Sequence, residues 1–135
     1  MTDRISTPAR SQNMRSIRSK DTKPEMRVRL LLYGLGHRYR LHVKSLPGCP
    51  DIVFRSRRKA LFVHGCFWHQ HKGCHDAHLP KSRLSYWGPK LRCNVERDRR
   101  NAQLLRDAGW ATLTVWACEL ADEKALASRL KKFLK

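Results

Sequence analysis

Acidic residues and long apolar runs are both scarce in this sequence. Its 135 residues include 11 Asp and Glu against 29 Lys and Arg, which gives a formal net charge of +18. No apolar run approaches the roughly 20 residues of a membrane-spanning helix, and the basic N-terminus lacks the apolar core of a secretory signal. We therefore expect a cytoplasmic protein with no transmembrane helix.

The excess of positive charge predicts a polyanionic partner. Nucleic acid is the leading candidate, because the imbalance extends over the whole chain. An anionic membrane surface is the alternative, but the basic segments lack the pattern of membrane-binding amphipathic helices. The charge therefore favours a nucleic-acid-binding protein that does not associate with membranes.

Cysteines are few, and their odd number of five argues against a disulfide framework. Two of them, Cys66 and Cys74, lie with three histidines in the stretch "FVHGCFWHQHKGC", residues 62–74. Zinc takes four such ligands in a tetrahedron. We therefore predict a structural zinc site made by Cys66, His71, Cys74 and, from beyond a later strand, Cys118.

Other ligand sets remain open at this stage. Three further histidines are rival zinc ligands: His69, His75 and His78. The alternative for any of the cysteines is a small buried residue, and this is our interpretation of Cys49 and Cys93.

The order of predicted elements indicates an α/β fold with a mixed central sheet flanked by helices. Residues 1–20 are polar and basic and are interpreted as an arm that orders on an anionic partner; residues 21–135 form a single domain. Helical periodicity and caps predict helices over residues 22–34, 89–107 and 122–135. The first begins with a capping box of Thr22 and Glu25, and Gly109 closes the second. The inner side of the third carries Leu126, Leu130, Phe133 and Leu134. Alternating or continuous apolar runs predict strands over residues 37–43, 51–54, 59–65 and 110–116.

Asp51 is the single acid between Met26 and His75. It begins a predicted strand, where an Asp after Pro is often a turn residue or the partner of an Arg. The functional interpretation is an oxygen ligand for Mg²⁺ beside a phosphate. At the positions of the following strand where metal-dependent nucleases commonly place a second acid and a lysine, this sequence has Val63 and Gly65. Proton transfer in a phosphodiester hydrolysis would therefore depend on a histidine, for which His69 is the candidate.

Asp98 falls on the apolar face of the second predicted helix, together with Leu91, Val95 and Leu105. A buried carboxylate needs a partner. An Arg is the structural choice, and His69 is the mechanistic choice, since a carboxylate would fix the tautomer of its ring. The spacing does not decide between them.

Three aromatic residues, Phe67, Trp68 and Trp87, lie in or just after the long loop that follows the third strand. Aromatic residues in such a loop commonly anchor it to the core. With this charge, a wedge between base pairs becomes credible, because inserting an apolar side chain costs less at a mispaired step.

Several segments together resemble the very short patch repair (Vsr) family of DNA mismatch endonucleases. They are "RSQNMRSIRSKDTKPE", "LPGCPDIVF", "FVHGCFWHQHKGC", "NVERDRRN" and "GWATLTVWACEL". The resemblance implies a restriction-endonuclease-like fold with one structural zinc ion. It also implies an enzyme that uses one or two Mg²⁺ ions to nick one DNA strand. The nick would lie 5′ to the thymine of T:G mismatches, which arise when 5-methylcytosine deaminates.

The resemblance implies roles for individual residues. Asp51 and the backbone carbonyl of Val63 would bind Mg²⁺; His69 would be the catalytic histidine oriented by Asp98. His64 would lie beside the scissile phosphate and Glu25 near the active site. The zinc ligands would be Cys66, His71, Cys74 and Cys118, and the intercalating residues Phe67, Trp68 and Trp87.

The resemblance further implies a monomer that acts on double-stranded DNA in the nucleoid, with its N-terminal arm around the duplex. A repair polymerase and a ligase would act downstream. Two alternatives remain: a zinc-stabilised DNA-binding module without catalysis, and a restriction enzyme that cuts both strands of unmodified DNA.

Overall fold

The fold is described from a computed structural model, which describes residues 22–74, 77 and 84–135. The arm predicted over residues 1–20, and the rival ligands His75 and His78, lie outside these residues. The elements are α1 (Lys23–Gly34), β1 (Arg40–Leu41), β2 (Ile52–Phe54), β3 (Lys59–His64), α2 (Leu84–Asp107), β4 (Ala111–Trp116) and α3 (Glu123–Phe133). Short 3₁₀ helices follow β2 and β4 at Arg55–Arg57 and Ala117–Ala121. This order agrees with the predicted sequence of helices and strands.

The four described strands form one mixed sheet in the order β1-β2-β3-β4. β1 pairs antiparallel with β2, and β2 antiparallel with β3, whereas β3 and β4 are parallel. Leu61 of β3 lies opposite Ile52 on one side and Leu113 on the other. The predicted mixed sheet is therefore confirmed.

Helices cover both faces of the sheet because the side chains of β3 alternate between them. Leu61 belongs to a cluster that packs α1 and α3 against one face. The buried members of that cluster are Val28, Leu32, Ile52, Phe54, Leu61, Val115, Leu120, Leu126, Leu130 and Leu134. Ala60 and Phe62 point the other way and pack against Leu105 of α2.

The helix ends follow the capping signals in the sequence. The side chain of Thr22 accepts a hydrogen bond from the backbone N–H of Glu25 at the start of α1, and α2 ends before Gly109, whose φ is +89°. In α3 the apolar face is the predicted one, with Leu126, Leu130 and Leu134 buried. No helix in the described part of the chain is long and apolar enough to cross a lipid bilayer.

Three predictions about local structure were wrong. α2 begins at Leu84, five residues before the predicted start, because Pro89 is accommodated inside the helix; the loss there is one backbone hydrogen bond. β1 is confined to Arg40–Leu41, because His42 leaves the extended conformation with a φ of +48°. Cys49 and Cys93 are exposed rather than buried.

Candidate active site

A cleft of about 1160 Å³ opens on the face of the sheet that α2 covers. His64, two residues after Phe62 on β3, points to the same face, and Asp51 lies just before β2. The titratable residues that line the cleft are Glu25, His42, Asp51, His64, His69, His71 and Asp98. All five residues predicted to be catalytic therefore line one cleft.

Asp51 is fixed by the neighbouring strand. Its Oδ2 accepts a hydrogen bond of 2.8 Å from the backbone N–H of Val63, which brings the backbone of Val63 to the predicted cation ligand. Burial raises the pKa of Asp51 to about 6, although the Val63 N–H favours the charged form. The charge of Glu25 adds to this increase. An ionised Asp51 is thus short of compensating charge, which a bound cation would supply.

The side chains of His69 and Asp98 meet across the cleft. Nδ1 of His69 lies 2.6 Å from Oδ2 of Asp98, so the structure shows the histidine partner of the two that the sequence left open. Asp98 is not in the middle of a buried stripe as predicted: its side chain is 28% exposed, and Val95 is 39% exposed. The reason is that Val95 and Asp98 line the open cleft.

His64 is buried and lies flat against His69. The two ring centroids are 3.8 Å apart, and the rings are within 6° of parallel. Burial, followed by the neighbouring charge of His69, lowers the pKa of His64 to about 3. His64 is therefore a neutral imidazole at neutral pH, and its stacking restricts rotation of the His69 ring.

Glu25 is a buried acid on the inner side of α1. Its carboxylate accepts hydrogen bonds from Arg29 and lies 2.7 Å from Nε2 of His42. The reciprocal half of the predicted capping box is therefore absent, because the side chain turns inward to these partners. His42 was missed in the sequence, where a histidine at the end of a strand carries no spacing signal.

Four predicted zinc ligands come together at the edge of the cleft. Cys66, His71, Cys74 and Cys118 each offer one ligand atom, and these atoms all lie within 4.8 Å of one another. Sγ of Cys118 is 3.4 Å from Nδ1 of His71, near the edge length of roughly 3.5 Å expected for a tetrahedron of zinc ligands. Burial raises the pKa of the Cys66 thiol, and a cation would reverse this preference for the protonated form. The donor set fits zinc, with the ligands delivered by the loop and by the 3₁₀ helix after β4.

Trp116 links this cluster to the cleft and was also missed in the sequence. Its ring stacks on His71 at 4.2 Å between centroids and meets His64 edge-on at 5.4 Å. Its register on β4, opposite His64 on β3, accounts for the second contact. Only strand pairing, which the sequence did not give residue by residue, reveals this position.

The three predicted intercalating aromatics form one cluster. The centroids of Phe67, Trp68 and Trp87 are between 5.3 and 5.5 Å apart in each pair. Hydrogen bonds from Gln70 and Asn94 to the carbonyls of Phe67 and Trp68 hold the loop that carries the cluster.

Basic side chains also line the cleft: Lys44, Lys72, Arg97 and Arg99. They lie around the acids and histidines rather than on a separate surface. Such an arrangement suits a phosphate backbone that passes over the cleft.

Comparison with known proteins identifies relatives over nearly the whole chain. A family model described as "DNA mismatch endonuclease Vsr" matches residues 2–76. The "Type II nicking enzyme V.XorIIP" of Xanthomonas oryzae pv. oryzae is 55% identical, over 99% of this chain and 98% of that protein. The "DNA mismatch endonuclease Vsr" of Escherichia coli is 41% identical, over 99% of this chain and 88% of that protein.

The fold also has a relative among solved structures. The catalytic domain of the homing endonuclease I-Bth0305I superposes with a TM-score of 0.56, covering 84% of this chain and 94% of that domain at 21% identity. That likeness supports the architecture of the sheet and helices. The extent and identity of the sequence matches support more: the chain belongs to the Vsr family of DNA mismatch endonucleases.

Proposed function

We propose that this protein nicks one DNA strand 5′ to the thymine of T:G mismatches and so initiates very short patch repair. Family membership supports a DNA endonuclease. The position of the nick and the T:G mismatch are proposed in addition to this endonuclease activity. The observation that carries it is the His69–Asp98 pair, 2.6 Å long, in the same cleft as Asp51.

His69 would act as the general base. Asp98 would accept a hydrogen bond from Nδ1–H, which leaves the lone pair on Nε2 to take a proton from the water molecule that attacks the phosphorus. The stacked His64 keeps the ring in this orientation. Because His64 is neutral, it adds no positive charge that would make His69 a weaker base.

Asp51 and the backbone carbonyl of Val63 would hold one Mg²⁺ ion. The cleft would contain one or two such ions in total. The hydrogen bond from Val63 occupies one oxygen of Asp51 and directs the carboxylate, and Glu25 contributes a second acid nearby. When bound, Mg²⁺ supplies Lewis-acid stabilisation of charge on the phosphate and the leaving oxygen. Lys44, Lys72, Arg97 and Arg99 would bind the flanking phosphates.

The zinc ion would be structural, held by Cys66, His71, Cys74 and Cys118. It would fix a loop that has little regular structure, within a restriction-endonuclease-like domain spanning residues 21–135. The cluster of Phe67, Trp68 and Trp87 would enter the base stack at the mispaired step, where unstacking costs least. The arm of residues 1–20 would complete the grip on the duplex.

In the cell, the substrates would be mismatches left by deamination of 5-methylcytosine in nucleoid DNA. A monomer would make the nick, and a repair polymerase and ligase would replace the short patch.

A nicking assay on a T:G duplex with Mg²⁺ tests the proposal. Asp51→Ala should abolish nicking and leave DNA binding largely intact, while Asp107→Ala, on the exposed end of α2, serves as the control. Binding without nicking by the wild-type protein would support a DNA-binding module instead. Cleavage of both strands of fully paired DNA would support a restriction enzyme.

A further inference from the structure

Three side chains from different elements converge at one end of the cleft. Glu25 comes from α1, His42 follows β1 and Asp51 precedes β2. Each offers one metal-ligating atom, and the three atoms lie within 4.8 Å of one another. All three residues line the cleft. The proposed nuclease chemistry uses the two acids and gives no role to the imidazole.

The backbone holds His42 beside Asp51. The N–H of His42 donates to the carbonyl of Asp51 at 3.0 Å, which continues the pairing of β1 with β2 by one residue. At that point the backbone turns to a φ of +48°. A residue with a side chain adopts this left-handed region at a cost of roughly 1 kcal/mol. The result is an imidazole whose Nε2 faces the carboxylate of Glu25.

An imidazole among carboxylates changes which cation a site prefers. Mg²⁺ takes oxygen ligands and keeps its waters, so a nitrogen ligand adds little to its affinity. First-row transition ions bind nitrogen–oxygen sites more strongly than Mg²⁺ does, and Mn²⁺ is the member of that series that, like Mg²⁺, suits carboxylate and water ligands. A site of two carboxylates and one imidazole is therefore expected to accept both ions and to bind Mn²⁺ more tightly.

Arg29 does not prevent this arrangement. It bonds to Glu25, and its Nη2 lies 3.5 Å from Nε2 of His42. Glu25 and His42 line the cleft but Arg29 does not, and the side chain of Arg29 is only 13% exposed, so the guanidinium meets the pair from the side away from the cleft. Arg29 balances part of the negative charge of Glu25, and the negative charge of Asp51 remains available to a bound cation.

We propose that Glu25, His42 and Asp51 form a mixed nitrogen–oxygen cation site that binds Mn²⁺ in preference to Mg²⁺. Nε2 of His42 is a direct ligand, and the ion takes the place of its hydrogen bond to Glu25. The inference rests on the proposed function for the cation at Asp51, and it adds a ligand and a selectivity to that site.

Mn²⁺ binding to the zinc-loaded full-length protein tests this inference, with free Mn²⁺ measured by electron paramagnetic resonance and Mg²⁺ by competition. Wild type should bind Mn²⁺ at least about tenfold more tightly than Mg²⁺. In His42→Gln, Mn²⁺ affinity should fall about tenfold while Mg²⁺ affinity stays within about threefold. Glu25→Gln should weaken both ions. The control His37→Gln, a histidine packed on Phe54 outside the cleft, should change neither.

A second measurement gives a direct signature of the nitrogen ligand, beginning with the wild-type protein. Electron spin echo modulation of bound Mn²⁺ in the wild type should show coupling to a ¹⁴N nucleus, and this coupling should vanish in His42→Gln. Wild-type protein without the coupling, or His42→Gln with unchanged Mn²⁺ affinity, would overturn the inference and leave His42 as a partner of Glu25 alone. The cation proposed at Asp51 is tested separately. If Asp51→Asn still binds both ions, the assignment of a cation to Asp51 is wrong, whatever the result for His42→Gln.

Discussion

Replacing Asp51 by Asn should make the protein more stable when no divalent cation is present in the cleft. Burial raises the pKa of Asp51 from 3.8 to about 6, so the folded chain disfavours the charged form relative to the unfolded chain. A difference of about two pKa units corresponds to about 3 kcal/mol lost at pH 8, where both states are ionised. Asn carries no charge, and its side-chain oxygen can still accept the hydrogen bond from Val63.

The pH dependence has a definite sign. Because the pKa is raised in the folded state, the folded chain takes up the proton first as the pH falls. The cost of the carboxylate therefore shrinks below pH 6 and vanishes below the ordinary value of 3.8. At pH 5 about half of the 3 kcal/mol should remain. The gain in unfolding free energy from Asp51→Asn should therefore decrease with falling pH in the same way.

Urea unfolding in buffer depleted of divalent cations without a chelator, which spares zinc, measures the effect. With a slope of about 1.5 kcal/mol/M, the midpoint should rise by about 2 M at pH 8. Asp107→Asn removes the same charge at an exposed position of α2 and should change stability by less than about 0.5 kcal/mol. Added Mg²⁺ should stabilise the wild type and not Asp51→Asn. A variant no more stable than its control, or equally stabilised at pH 5 and pH 8, would refute the reasoning.

Three other predictions concern the His69–Asp98 pair, the proposed zinc ligands and the positive charge of the cleft. Asp98→Asn should lower kcat for nicking by roughly 10²- to 10⁴-fold, because the amide can favour the wrong tautomer of His69; single-turnover rates within threefold of wild type would contradict this role. Cys66→Ser should lose zinc and fold poorly, and one zinc per folded chain by elemental analysis would remove Cys66 from the site. The logarithm of the DNA affinity should fall steeply with the logarithm of the salt concentration, whereas a flat response would separate the basic cleft from DNA binding.

The sequence predicted the features that depend on local patterns. The cap at Thr22, the end of α2 before Gly109 and the inner face of α3 follow from residues a few positions apart. The clustering of the four predicted zinc ligands could be expected because three of them lie within nine residues. For the pairing of His69 with Asp98, the periodicity of α2 indicated that the acid needed a partner, and the resemblance supplied which one.

The features that were missed depend on pairing between distant segments. His42 reaches Glu25 because β1 ends one residue earlier, at a backbone conformation that no residue type in the sequence signals. Trp116 meets His64 because β3 and β4 are in parallel register. Pro89 in the sequence suggested a helix start, yet the helix extends back to Leu84. In each case tertiary contacts outweigh the local preference.

The geometry of the loop joins the cysteine–histidine cluster to the His69–Asp98 pair. His69 lies between Cys66 and His71 in the chain, and its N–H donates to the carbonyl of Gly65 at 3.1 Å. The next donor, His71, bonds back to the carbonyl of Cys66 at 2.9 Å. A backbone turned this tightly couples the position of the proposed zinc ligands to that of the imidazole between them. Loss of zinc should therefore lower kcat through the position of His69, even in protein that remains folded.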